Sequence, residues 1–342
     1  MPYPDTIILT NPLDMHLHLR DGEMLHNIAK GSAQSFSGAI IMPNLVPPVS
    51  SKEEVRAYRA RILEAIGDET FTPYMTLFFK PDYDKAFLQS VRDEIAAIKL
   101  YPAGITTNSE GGVSGFDVEE LRPALEAMGE LGIPLCVHGE TNGFVMDREA
   151  EFVPIYEKLA AAFPKLKIIM EHITTKESVA ALERFDNLYA TITVHHLIIT
   201  LDDVAGGMLR PHLFCKPIAK RPEDREALLK VALEAHPKVM FGSDSAPHPR
   251  HAKESCGCAA GVFTAPIALQ LLAQLFEQHE APLGNLQKFV SDTAQSVYGI
   301  TPPQKRVILE KKPFTVPQAY NGVVPMYAEE SIEYTIKEIS NG

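Results

Sequence analysis

Eight short apolar runs, separated by helix-sized segments, constrain the fold of this chain more than any other feature. They are Asp14–Leu19, Ala39–Met42, Thr72–Phe78, Ala97–Leu100, Leu135–His138, Lys167–Glu171, Tyr189–Val194 and Val239–Gly242. Runs of this kind are expected for strands buried on both faces. The stretches between them carry helix signals. Ser51-Lys52-Glu53-Glu54 is a capping box opening a helix towards Ala65, and Asp117 is an N-cap for a helix through Leu131 that stops at Gly132. Eight parallel strands with right-handed helical crossovers close most simply into a (β/α)8 barrel, the TIM-barrel form of the α/β class. A doubly wound open sheet is the alternative, but no GxGxxG follows a strand and no GxxxxGK[ST] loop occurs. The 342 residues are read as one barrel domain over 1–342, with about 285–342 as a C-terminal extension packed on it.

Composition limits the partners. With 45% hydrophobic and 22% charged residues, the chain can bury a sizeable core. A net charge of −12 argues against a nucleic-acid surface, which needs clustered Lys and Arg. The opening residues Met1-Pro2-Tyr3-Pro4-Asp5 carry no basic segment followed by an apolar stretch, so no signal peptide is expected. The longest apolar stretch, around Ala265–Phe276, is short and interrupted by Gln270 and Gln274, so no membrane span is expected either. Cys136, Cys215, Cys256 and Cys258 are too scattered for a disulfide framework, and Cys256-Gly257-Cys258 lacks the spacing and second pair of a zinc site. The expected setting is cytoplasmic, with a small-molecule substrate and neither nucleic acid nor membrane as partner.

The chemistry gathers at strand ends. His16 and His18 alternate about Leu17 and so share a strand face. Two unpaired imidazoles are costly to bury, so that face meets solvent or a metal. Lys99, His138, His172 and Asp244 each close or follow an apolar run and lead into a Gly-, Thr- or Pro-bearing loop. In a barrel all of these converge on the C-terminal mouth, where such folds place their chemistry. Neutral imidazoles and a carboxylate suit zinc, and this set could fill one zinc or share two. Lys99 stands apart, since an ammonium cannot ligate a cation. Burial and a nearby positive charge lower a lysine pKa, and the neutral amine can add carbon dioxide to become a bridging carbamate. Alternatively its stem lies over the rim and its charge stays in water. His195 and His196 follow the seventh strand and are not read as ligands. His26, His212, His236, His251 and His279 are read as surface or packing residues.

A family resemblance narrows this reading. It rests on His16-Leu17-His18-Leu19-Arg20, Met42-Pro43-Asn44, Lys99-Leu100-Tyr101-Pro102, Val137-His138-Gly139-Glu140, Glu171-His172-Ile173-Thr174-Thr175 and Gly242-Ser243-Asp244-Ser245-Ala246-Pro247-His248. In this order, the motifs resemble the dihydroorotases of the amidohydrolase superfamily over essentially the whole chain, in the short class II form typified by the enterobacterial enzyme. About ten residues precede the first run, too few for the flanking β-sandwich segment of hydantoinases and longer dihydroorotases.

The resemblance implies two Zn2+ per subunit, bridged by Lys99 as N6-carboxylysine, formed with carbon dioxide or bicarbonate. His16, His18 and Asp244 would hold the more buried zinc, and His138 and His172 the more exposed one. A bridging hydroxide would attack, with Asp244 as general base and acid. The reaction implied is reversible hydrolysis of (S)-dihydroorotate to N-carbamoyl-L-aspartate in de novo pyrimidine biosynthesis.

Arg20, Asn44 and His248 would form a pocket for the substrate carboxylate, with His18, His138 and the backbone at Ala260 also at the substrate. Thr106 and Thr107 would reach it from a lid, the loop 103–112, whose Gly104, Gly111 and Gly112 are read as hinges. Lys216 departs from the pattern: the family has an apolar residue there that contacts substrate through its backbone. A homodimer is implied as well. A hydantoinase or allantoinase would not need the Arg20-Asn44-His248 pocket, a mononuclear deaminase usually lacks Lys99, and a non-catalytic scaffold should have lost ligands.

Overall fold

The computed structural model describes residues 3–341. Its strands are β1 (Thr6–Thr10), β2 (Leu13–Leu17), β3 (Gly38–Ile41), β4 (Thr72–Phe78), β5 (Ala97–Leu100), β6 (Leu135–Val137), β7 (Ile168–Met170), β8 (Leu188–Ile192), β9 (Val239–Phe241), β10 (Lys305–Thr315) and β11 (Ser331–Asn341). β2 to β9 form one parallel sheet in sequence order. Its two ends meet at the C-terminal rim, where the Asp244 N–H donates to the His16 carbonyl at 2.8 Å and Leu17 bridges to Ser245. The expected eight-stranded barrel is therefore the fold of this chain, with each expected run matching a strand to within a few residues.

The helices carry the capping chemistry read from the sequence. The helix Lys52–Ile66 opens with Ser51 Oγ accepting from Glu54 N at 3.2 Å and Glu54 Oε2 accepting from Ser51 N at 2.9 Å. Asp117 accepts from the amides of Glu119 and Glu120 to start Val118–Leu131, which stops at Gly132. Inside the ring, Met15, Ile40, Ala97, Cys136, Ile169 and Met240 fill the lower barrel, while Leu17, Ile41, Ile98 and Val137 face the helices.

One irregularity positions the chemistry. Strict alternation from Leu13 and Met15, both inward, would turn His16 outward towards the helices. However, β2 pairs Asp14 with Ala39 and Leu17 with Ile41, so it has one residue more than β3 between those points. Met15 and His16 both fall opposite the inward-facing Ile40, and the bulge re-aims His16 into the barrel. Gly242 completes the fit. A Cβ there would lie 3.0 Å from the Cβ atoms of both His16 and Thr191, so a side chain at 242 would have to push these neighbours aside.

A second sheet was not expected. β1, β10 and β11 pair antiparallel in the order β1-β10-β11. Ile7 and Leu9 turn inward while Ile8 is about half exposed, the period of a half-buried strand. Its partner lies about three hundred residues away, Thr6 facing Glu310, so nothing local announces the pairing. The segment after residue 285 runs through short helical turns into β10 and β11, and it is tied to the barrel by specific bonds. Lys305 Nζ donates to the carbonyls of Ala33, Gln34 and Phe36 at the end of the helix Gly22–Gln34. Tyr334 donates to Glu277, and Glu333 N to Gln274 Oε1, on the helix Ala268–Gln278. No described helix is long and apolar enough to cross a membrane.

Because three helix-end carbonyls depend on one buried ammonium, Lys305→Met should destabilise the fold by about 1–3 kcal/mol. Urea unfolding checks this: the midpoint should fall while the slope stays as in the parent chain.

Candidate metal centre

The ligand-type side chains read from the sequence meet at the barrel mouth. Asp244 Oδ1 lies 3.2 Å from His18 Nε2 and 3.4 Å from His16 Nε2. His138 Nδ1 lies 3.2 Å from His172 Nε2. Two atoms bound to one tetrahedral zinc at about 2.0–2.1 Å stand roughly 3.3–3.4 Å apart, so both groups have the spacing of ligands converging on a cation. The rings of His16 and His172 are 4.8 Å apart between centroids, which makes the two groups neighbours. All five residues are buried.

Two of the four rings, those of His16 and His138, are oriented from behind by a carboxylate. Glu171 Oε2 is 2.7 Å from His16 Nδ1, crossing the barrel interior from the end of β7, and Thr191 Oγ1 donates to the same oxygen at 2.6 Å. That leaves His16 Nε2 facing Asp244. Glu140 Oε2 is 2.8 Å from His138 Nε2, which leaves Nδ1 facing His172. Such carboxylate partners fix the tautomer and direction of a ligating imidazole. Below them, Asp14 accepts from His16 N, Ser243 N and Ser243 Oγ, tying β2 to the segment that carries Asp244. Burial raises its pKa to about 6 despite these bonds.

Glu140, Glu171, Asp14 and Thr191 are functional neighbours that the sequence motifs alone do not single out. The signal was present for the two glutamates, since each lies within two residues of a ligand-type histidine inside a quoted motif.

Lys99 points into this cluster from β5. Its side chain is fully buried, its Nζ has no hydrogen-bond partner among the described residues, and the ring of Tyr101 lies 5.0 Å away. Burial lowers its pKa, and burial likewise holds His172 well below the usual histidine range and His18 down at about 3. The neutral forms are the ones that can ligate a metal or, for the amine, add carbon dioxide. Arg20, His172 and Asp244 have φ of +57°, +41° and +43°, left-handed backbone that non-glycine residues rarely adopt. Asp244 is held there by the hydrogen bond its N–H donates to His16 O, and His172 by the one its N–H donates to Thr191 Oγ1 at 2.7 Å.

Around the cluster, Arg20 Nη2 is 3.1 Å from His248 Nε2, and Arg20 Nε donates to Pro247 O at 3.2 Å. His248 Nε2 is also 3.0 Å from Ala260 O, so this nitrogen serves either the guanidinium or the carbonyl, depending on its proton. Lys253 Nζ pins the same loop through the carbonyls of Phe214, Ala259 and Gly261. Asn44 does not join that pair by a hydrogen bond: its Nδ2 donates to Thr107 O at 3.0 Å, while Asn108 Nδ2 donates to Asn44 O. Lys216 Nζ donates to Ile105 O at 2.8 Å.

The loop 103–112 is internally bonded, with Gly104 N to Ser109 O and Thr106 N to Ser109 Oγ. At Gly112 a Cβ would come within 2.3 Å of Tyr101 O, so close backbone approach requires glycine there. His195, His196 and Cys215 form a further buried group with ligand-type atoms within 4.8 Å. Both nitrogens of His196 are already engaged, by Thr193 Oγ1 and Pro217 O, so no lone pair of that ring is free for a shared cation.

A ring of imidazoles and carboxylates at the C-terminal mouth of a (β/α)8 barrel is the arrangement of a metal-dependent hydrolase, and the family model described as Amidohydrolase matches residues 48–300. Among curated proteins, a dihydroorotase from Helicobacter hepaticus is 46% identical over 341 residues, covering 98% of this chain and 99% of that protein. A crystal structure of a dihydroorotase from Campylobacter jejuni superposes with a TM-score of 0.94 at 59% identity, covering 97% of this chain and 98% of that one. A dihydroorotase from Saccharomyces cerevisiae, solved in complex with 5-fluoroorotic acid, matches with a TM-score of 0.91 at 34% identity, covering 97% and 98%. The chain belongs to the dihydroorotase family of the amidohydrolases.

Glu140→Ala and Glu171→Ala should each weaken metal retention by about 10–100-fold, the usual cost of losing the partner that orients a ligating histidine. Competition with a chelator measures this. Retention equal to the parent chain in both variants would mean that the carboxylates do not hold the ligand rings.

Proposed function

We propose that this chain interconverts (S)-dihydroorotate and N-carbamoyl-L-aspartate, the dihydroorotase step of pyrimidine biosynthesis, on two zinc ions. The observation that carries the reading is the pair of converging ligand groups beside one partnerless buried lysine. His16, His18 and Asp244 would hold one ion and His138 and His172 the other. An ammonium with three unsatisfied donors does not suit a cavity lined by cation ligands. A carbamate on Lys99 does, since carbon dioxide adds to the neutral amine, one proton leaves, and two oxygens become available to bridge. When bound, the metal pair supplies an acidified water and a polarised amide carbonyl.

The remaining steps belong to the side chains. Asp244 takes the proton of the attacking water and returns it to the departing ring nitrogen, so the same carboxylate serves as base and then acid. Arg20 offers a fork to the substrate carboxylate, and His248 and the Ala260 backbone bound the ring beside it. Asn44, Thr106 and Thr107 close the pocket from the loop side, where the loop 103–112 excludes water from the reacting groups. The assembly read from the family resemblance is a homodimer, in a cytoplasmic setting. A hydantoinase reading is disfavoured by Arg20 beside His248, because an unsubstituted cyclic amide brings no carboxylate to such a fork. A panel of dihydroorotate, hydantoin and allantoin separates the two, with turnover expected only on the first.

Lys99→Ala should lower turnover beyond the roughly 10–100-fold cost of losing an outer partner, with loss of bound metal on dialysis. Full activity with two tightly held metal ions would exclude the carbamate.

The equilibrium itself should depend on pH. Carbamoyl aspartate has one carboxylate more than dihydroorotate, so ring closure consumes a proton. The ratio of closed to open form should fall about tenfold per unit rise in pH above the carboxylate range. A pH-independent ratio at equilibrium would refute the assigned reaction.

A further inference from the structure

The half-buried side chain of Lys216 has a defined partner across the mouth. Its ammonium donates to the carbonyl of Ile105 at 2.8 Å, joining the segment after β8 to the loop after β5. That carbonyl immediately precedes Thr106 and Thr107. The loop is a preformed unit, since Gly104, Thr106 and Gly112 all donate their amides to Ser109 and Ala103 donates to Val113. A unit of this kind moves as a body, and its position depends on what grips it from outside. On one flank the grip is reciprocal, Asn44 Nδ2 to Thr107 O and Asn108 Nδ2 to Asn44 O, both 3.0 Å. On the other flank it is Lys216. A charged donor makes a stronger hydrogen bond to a carbonyl than a neutral one, and an apolar side chain at 216 would have no donor to offer.

We propose that Lys216 is a positioning residue that clasps the loop 103–112 over the mouth, setting how closely Thr106 and Thr107 approach the substrate. This rests on the role given to those threonines above. The clasp accounts for a lysine at a position where the family pattern has an apolar residue. It works through the side chain and leaves the backbone of 216 free to meet the substrate.

The test compares metal-loaded parent chain, Lys216→Met and Lys216→Arg. Hydrogen exchange, read without substrate on peptides covering 103–113, should quicken about tenfold in Lys216→Met, because the loop then opens more often. The KM for dihydroorotate should rise about fivefold to tenfold with kcat within about twofold, since loop closure is drawn from binding energy while the metal cluster is untouched. Lys216→Arg, which keeps a charged donor, should restore both. Unchanged exchange in Lys216→Met overturns the clasp. A raised KM with unchanged exchange also overturns it, and assigns Lys216 to the substrate instead. An arginine variant as impaired as the methionine variant overturns it as well. Exchange is read in the absence of turnover, so a parent chain inactive on dihydroorotate would refute the proposed reaction while leaving the clasp open to the same measurement.

Discussion

The contact on which the site depends is the seam where the barrel closes, the Asp244 amide on the His16 carbonyl at 2.8 Å. A parallel sheet of eight strands can remain open, and then its first and last strands carry unrelated chemistry. Here closure sets the end of β2 beside the segment after β9, so His16, His18 and Asp244 become one group although more than two hundred residues separate them. Asp14 reinforces the same seam through Ser243, and the absence of a side chain at Gly242 lets the two backbones approach. The left-handed backbone at Asp244 is the strain that this seam sustains, and the carboxylate is delivered to the histidines by it.

Burial then decides what the group can do. An imidazole out of water is held neutral, so its lone pair is available for a cation rather than occupied by a proton, and His18 and His172 are both pushed in that direction. The same desolvation lowers the pKa of the Lys99 amine, where an exposed lysine would stay an ammonium. The environment that would make these residues poor partners for one another in the absence of a cation makes them good ligands for one. Stability and chemistry pull in opposite directions at this rim, and the apolar lower barrel of Met15, Ile40, Ile169 and Met240 is where packing compensates.

Much of this was legible in the chain because it is written in local patterns. Strands buried on both faces read as continuous apolar runs, and capping residues such as Ser51 and Asp117 mark where helices begin. The ligand-type residues were legible because each sits at the end of such a run. What escaped had no local signature. The strand Thr6–Thr10 alternates over only five residues and finds its partner at Arg306–Glu310. The bulge at Met15 and His16 is a relation between two strands, visible only once β2 and β3 are paired. Gly112 of the loop 103–112 is required by the nearness of Tyr101 O, a contact that composition does not disclose.

Two histidines that face the candidate metal site through different nitrogens show how tightly sequence position and chemistry are linked. Glu140 is two residues beyond His138, so it rises on the same side of the chain and takes the Nε2 end of the ring, turning Nδ1 towards His172. Glu171 instead comes across the barrel and takes Nδ1 of His16, turning Nε2 towards Asp244. Which nitrogen is left free for a cation is thus set by where the carboxylate stands, local in one case and long-range in the other. A glutamine in place of either glutamate would keep an acceptor oxygen but lose the charge that raises the ring's basicity. The geometry could survive that change while the affinity for a cation falls, and for this reason the carboxylates behind the rings belong to the working site as much as the rings themselves.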